Sequence, residues 1–356
     1  MKNKINLLIT LSLPLLILSC SAKPITRSQP TVQAPNQANS HRIPQGNRPN
    51  LGQVISSPAP KNERVIPPKT PNPPAPVVRQ TPKHGQSYFN TKFKLPNSIK
   101  ETSGLIKLDG KLWTFNDSGG RATLYQIDER NGRIVKTINI SNAKNKDWED
   151  IAYDDNYVYI GDFGNNLGNR RDLRVYKIPR ASLRTQKSVR AEVIYFHYND
   201  QKVFTSRSKQ HNHDCEAMIA HNGKLYLFSK NWQNKQTSLY ELSSQAGKQI
   251  AKRISTFNIQ GMVTAASINQ ELDILLLTTY SPLLNVNVWA FTNYHGNNFF
   301  NANKKRLNFA SPLQGQVEGI TFTNNYSAYL SSEAFSKYIF SFDASLYELN
   351  FSGEFE

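Results

Sequence analysis

Trp148-Glu149-Asp150-Ile151-Ala152-Tyr153-Asp154-Asp155-Asn156-Tyr157-Val158-Tyr159-Ile160-Gly161-Asp162 holds two runs of aromatic and β-branched residues on either side of Asp155-Asn156. Such runs suit strands. Asp and Asn tolerate the positive φ of a two-residue type I′ hairpin turn. Folded about that turn, the segment sets Glu149 opposite Asp162.

Working outward, the same unit returns along the chain. Asp109-Gly110 sets Ser103 opposite Asn116, Asn222-Gly223 sets Glu216 opposite Ser229, and Asn324-Asn325 sets Glu318 opposite Ser331. A fourth copy turns at Gln270-Glu271 and sets Thr264 opposite Leu277, so it lacks the polar pair. A third strand with a central aromatic follows each hairpin, at 124–127, 173–176, 239–242, 288–291 and 338–341. A fourth follows at 134–140, 192–198, 252–259 and 305–309. Four antiparallel strands recurring about every 50 residues predict an all-β fold, a β-propeller of four-stranded blades, over residues 87–356. The repeats number five. Two further strands, 88–95 and 345–351, compete to close the ring; one completes the last blade and the other pairs beside it or begins a sixth. A two-sheet sandwich would not return the same hairpin chemistry at near-regular intervals.

In a propeller the first strand of each blade lines the central channel, so the polar pairs gather at one mouth. Glu149, Glu216 and Glu318 are expected there with Asp162, Asp147, Asp214, Asn116 and Asp117. Like charges held together demand a cation, a Lys/Arg clasp or raised pKa values. Oxygen-only ligands favour Ca²⁺, with Glu149, Asp162, Glu216 and Glu318 as its ligands. The alternative is that each Glu accepts backbone N–H groups of the next blade and fixes blade registry. Asn116-Asp117-Ser118-Gly119-Gly120 and Gly161-Asp162-Phe163-Gly164-Asn165-Asn166 open at the same mouth. With Arg121, Arg170 and Arg171 nearby they could offer an anion site, or serve as plain turns. The 199–213 connection is long enough for a lid and ends in His211-Asn212-His213-Asp214-Cys215, a partial zinc spacing without a fourth ligand. No Gly-x-Ser-x-Gly elbow supports serine chemistry.

The chain starts differently. Lys2 and Lys4 precede an apolar run that ends in Ile17-Leu18-Ser19-Cys20. This predicts a cleaved lipoprotein signal over 1–19 with lipid on Cys20, and Ser21 points to the outer membrane of a bacterial envelope. Residues 20–86 are rich in Pro, Gln, Asn and Ser and form an extended tether. With Cys20 acylated, Cys215 has no disulfide partner. Roughly half of the net charge of +17 lies in that tether, where nine basic residues from Lys23 to Lys83 face the single acid Glu63. That placement argues against nucleic acid and fits either contact with anionic headgroups or a soluble stalk. A monomer held to the membrane by its lipid is expected.

Leu112-Trp113-Thr114-Phe115-Asn116-Asp117-Ser118-Gly119-Gly120, Asp147-Trp148-Glu149-Asp150-Ile151-Ala152, Tyr159-Ile160-Gly161-Asp162-Phe163-Gly164-Asn165-Asn166 and Asp214-Cys215-Glu216-Ala217-Met218 resemble the motifs of exported bacterial β-propeller proteins of largely uncharacterised function. The resemblance runs from about Thr102 onward. It implies a propeller exported to the envelope and implies no reaction. A more distant similarity to phytase-like and esterase-like propellers carries over no residue. The sequence therefore favours a non-catalytic propeller that binds an envelope or extracellular ligand at its acidic mouth. A Ca²⁺-dependent hydrolase of phosphate or other esters is the second reading, and a structural partner of outer-membrane proteins the third.

Overall fold

A computed structural model describes residues 84–310, 313, 315–337 and 340–355. Cys20, the 1–19 leader and nearly all of the 20–86 tether lie outside the described residues. Among the described residues, no helix is long and apolar enough to cross a membrane.

The strands form antiparallel runs of four, each with its first strand at an edge. These first strands, Thr102–Leu108, Trp148–Tyr153, Cys215–His221, Met262–Asn269 and Val317–Asn324, lie side by side in a closed circuit. An apolar layer fills each space between neighbouring runs. Phe115 meets Trp148 edge-on at 5.3 Å, and Phe257, Phe291 and Phe300 cluster between two later runs. Leu105, Leu112, Tyr329 and Leu346 pack the last run against the first. Each fully buried ring contributes on the order of 1.5–3 kcal/mol. The molecule is a β-propeller.

Outer strands are stitched together as well. Glu192–Tyr198 pairs in parallel with Gly247–Phe257, merging two runs into one eight-stranded sheet. Ser188–Val189 pairs in parallel with the end of Ile134–Ile140.

The seam differs from expectation in one strand. The third strand of the last run is Ser345–Asn350, and Tyr88–Lys94 pairs with it as the fourth. Both candidate closing strands thus belong to one sheet. Part of the 338–341 segment that was expected there instead forms a two-stranded ribbon between Phe335–Lys337 and Phe340–Phe342. The physical reason is length: Ser345–Asn350 pairs in register along the whole of Ser327–Ser332.

Turn chemistry holds in two of four hairpins. Asp109-Gly110 and Asn222-Gly223 take positive φ at both positions, as type I′ requires. Asp155-Asn156 does not; there the Asp154 carboxylate accepts the N–H groups of Asn156 and Tyr157, a side chain doing the work of a turn bond. Asn324-Asn325 is also free of positive φ.

Candidate functional site

Every inner strand carries a β-bulge near its start. Ladder pairs step from Trp148↔Asp162 to Ile151↔Ile160, from Cys215↔Ser229 to Ala217↔Phe228, and from Val317↔Ser332 to Gly319↔Ser331. The same step occurs between Ser103 and Leu105 and between Val263 and Ala265. Glu216 and Glu318 are each the extra residue, and Glu149 lies within such a step. The expected direct pairs are therefore corrected by one position: Thr102, Trp148 and Cys215 face Asn116, Asp162 and Ser229, and Gly319 faces Ser331. A bulge re-aims the side chain it carries. The fourth copy has the bulge at Thr264 without the acid, so its geometry is intact where its chemistry is lost.

The acids do collect together, each in its own setting. Asp162 is clasped by Arg170 at 2.8 Å and approached by Arg174 at 3.6 Å. Asp214 accepts the Asn165 N–H at 2.6 Å and the Trp232 indole N–H at 2.7 Å. Glu216 pairs with the buried Lys230 at 2.9 Å. Glu318 shares a hydrogen bond with Glu333. Asp117, Asp147 and Glu149 each bring a carboxylate oxygen to within 4.8 Å of one another. Glu149 is only 4% exposed.

Burial, and then mutual repulsion, raises the pKa values of Glu149, Asp117 and Glu333 well above the usual carboxylate range. Burial also raises Glu216 and Glu318, with Lys230 partly offsetting it in both. Asp147 is pushed up to about 7, again first by burial and then by Asp214. Lys230 is raised well above its ordinary value because Glu216, Tyr280 and Glu318 outweigh its burial. Two of the three expected remedies for crowded charge, a Lys/Arg clasp and raised pKa values, are thus present.

The Ca²⁺ ligand set expected from sequence is not what the geometry brings together. Asp162, Glu216 and Glu318 have partners of their own, and Asp117 and Asp147 join Glu149 in their place. Arg170 is engaged within its own loop: its guanidinium donates to the Asp162 carboxylate and the Gly164 carbonyl, and its N–H to Asn165 Oδ1, so it staples the loop. Asn165 is buried and also donates to the His213 carbonyl. Asn166 and Arg171 are exposed, the latter with its guanidinium 3.9 Å from the Phe204 ring centre. His211 and His213 turn to the Asn166 carbonyl and to Asp200 rather than toward Cys215.

Registry between inner strands falls to Asp150, the neighbour of Glu149. Its fully buried carboxylate accepts the N–H groups of Ile151, Met218 and Ala266, tying three inner strands together. Met218 and Ala266 also line a cavity of about 450 Å³ at the other end of the inner strands, away from the acids.

Sequence reading missed Lys230 and Glu333. A signal existed: Asp117, Lys230 and Glu333 each follow the second strand directly, and each donates its backbone N–H to the residue before the inner strand, Glu101, Asp214 and Gln316. One repeat position thus holds an acid, a base and an acid.

No family model and no curated protein matches this chain. Solved structures do. The chain is similar to U3-55K at 7% identity and a TM-score of 0.39, over 76% of this chain and 100% of that one. It is similar to the WD40 repeats of RRP9 at 8% identity and 0.39, over 76% and 99%. A protein of unknown function from Bacteroides thetaiotaomicron is similar at 9% identity and 0.42, over 74% and 76%. These likenesses concern the fold alone.

Proposed function

We propose that this is a lipid-anchored protein of the bacterial envelope, held at the outer membrane through Cys20, whose propeller binds a donor-rich ligand at the acidic mouth. One observation carries the ligand. Buried polar atoms without a hydrogen-bond partner concentrate where the last run meets the first: Asn116 Oδ1, Asp117 Oδ1, Ser331 Oγ, Ser332 Oγ and Glu333 Oε1. Each unpaired atom costs about 1–3 kcal/mol, and several in one place mark a site short of partners. All five are oxygens that can accept a hydrogen bond, so the matching ligand carries amino or hydroxyl hydrogens.

Titration calorimetry on the full chain with putrescine, glucosamine and glucose 6-phosphate tests this reading. Putrescine or glucosamine is expected to bind and the phosphate to be refused. Ser331→Ala and Glu333→Gln are each expected to weaken binding about tenfold, the loss of one hydrogen bond to a charged or polar partner. Preference for the phosphate, or binding untouched by both substitutions, would move the site elsewhere. Turnover of an ester or phosphoester that disappears in Glu149→Gln would replace binding by catalysis.

A further inference from the structure

We propose that Asp117, Asp147 and Glu149 together bind a Ca²⁺ ion at the propeller mouth. Three carboxylates whose oxygens lie within 4.8 Å of one another form a cluster. A cluster alone is no site, and Glu149 supplies the second observation. The residue is only 4% exposed, and its carboxylate has no hydrogen bond or ion pair among the described residues, yet it lies within reach of the other two. A carboxylate this buried and given no protein partner must either keep its proton or receive a cation. Every other acid at the mouth has a different arrangement: Arg170 for Asp162, Lys230 for Glu216, backbone and indole N–H groups for Asp214, Glu333 for Glu318. Asp117 leaves its Oδ1 unpartnered as well.

The loop is shaped for this. A Cβ on Gly164 would fall 2.0 Å from Glu149 Oε1 and 2.6 Å from the Asp147 carboxyl carbon. Only a glycine lets the chain approach the carboxylates so closely, and the Gly164 N–H donates to the Asp147 carbonyl at 3.2 Å, holding that approach. The choice of ion follows from the donors. All three are hard carboxylate oxygens with no His or Cys among them, and three carboxylates offer the high oxygen count that Ca²⁺ takes in flexible geometry. The neighbouring Asn116 and Asn145 each leave Oδ1 without a donor. This inference shares Asn116 and Asp117 with the organic-ligand site but turns on Glu149 rather than on the Ser331–Glu333 edge, so Glu149→Gln and Ser331→Ala separate the two.

Calorimetric titration of the EGTA-treated full chain with CaCl2, alongside Tb³⁺ luminescence excited through tryptophan, tests it. The wild type is expected to bind one Ca²⁺, to melt higher with it, and to sensitise Tb³⁺, because fully buried Trp148 directly precedes Glu149. Glu149→Gln and Asp117→Asn are each expected to lose at least about tenfold in Ca²⁺ affinity. Glu149→Gln should melt above the Ca²⁺-free wild type, which keeps a failure to bind distinct from a failure to fold. Glu318→Gln should bind Ca²⁺ as the wild type does. A wild type indifferent to Ca²⁺ and silent with Tb³⁺ would overturn the site, as would Ca²⁺ binding intact in Glu149→Gln or lost equally in Glu318→Gln.

Discussion

Lys230 places an ammonium group 2.9 Å from the Glu216 carboxylate, with both side chains no more than 5% exposed. The rings of Trp232 and Tyr280 lie 5.0 and 5.2 Å from the same nitrogen and shield it from water. Breaking a buried pair from one side costs about 3–5 kcal/mol, because the remaining charge is left without compensation. Lys230→Met is therefore expected to lose about 3–5 kcal/mol in urea unfolding at neutral pH, and Lys230→Met with Glu216→Leu to recover much of it. A single variant as stable as the wild type would mean that Glu216 is already neutral without its lysine. The residue was within reach of the sequence, one step past a polar pair that had been aligned. Acids recurring at equivalent positions were conspicuous there, and a lone base at another equivalent position was not.

At the scale of the element, the recurring bulge does what direct pairing was expected to do. Hairpins, strand order and the gathering of Glu149, Glu216 and Glu318 were legible because alternation and turn residues leave marks in composition. A bulge mostly does not. Gly104 is an exception: its φ of +63° and the Phe115 ring 2.7 Å from a notional Cβ make glycine necessary at that bulge. Elsewhere the extra residue is an ordinary Glu or Thr, and only the ladder reveals the offset. The same holds for Asp150, whose place beside Glu149 hid a different task. Asp150→Asn keeps the shape but puts an amide where one of two accepting oxygens stood, against strands that present N–H groups. An expected loss of about 2 kcal/mol in unfolding free energy follows, with Ca²⁺ binding retained. Unchanged stability would remove Asp150 as the tie between inner strands.

Across the whole molecule, crowded acids and clasped acids pull the pH dependence in opposite directions. Glu318 and Glu333, which have no lysine or arginine in direct contact, have pKa values raised by burial above an ordinary value of 4.5. The folded chain holds those protons where the unfolded chain has released them, so stability falls as pH rises above about 4.5. Asp172, held near 2 by Lys146 and Arg170 against its burial, acts the other way: its contribution is present above 3.8 and lost as pH falls toward 2. The Ca²⁺-free chain is expected to melt highest near pH 4–5 and lower at pH 8, and Glu333→Gln to flatten that decline. Thermal melts across this range check it, and a flat wild-type profile from pH 5 to 8 would contradict the raised carboxyls. Closure of the ring was only half legible. Two strands competed for the seam on similar composition, and pairing partners far apart in sequence decided that both belong to it.

That seam also has a mechanical meaning. Tyr88–Lys94 is the first strand of the described chain and lies at the outer edge of its sheet, and the N–H of Gly85 donates to the carbonyl of Gly353. Tension arriving from upstream enters the propeller there before any other strand feels it. The antiparallel ladder from Tyr88↔Asn350 to Lys94↔Ser345 would yield first. The latch that completes the ring is thus also where the upstream chain joins it, and the load that entry withstands is set by that ladder, whatever the strength of the core.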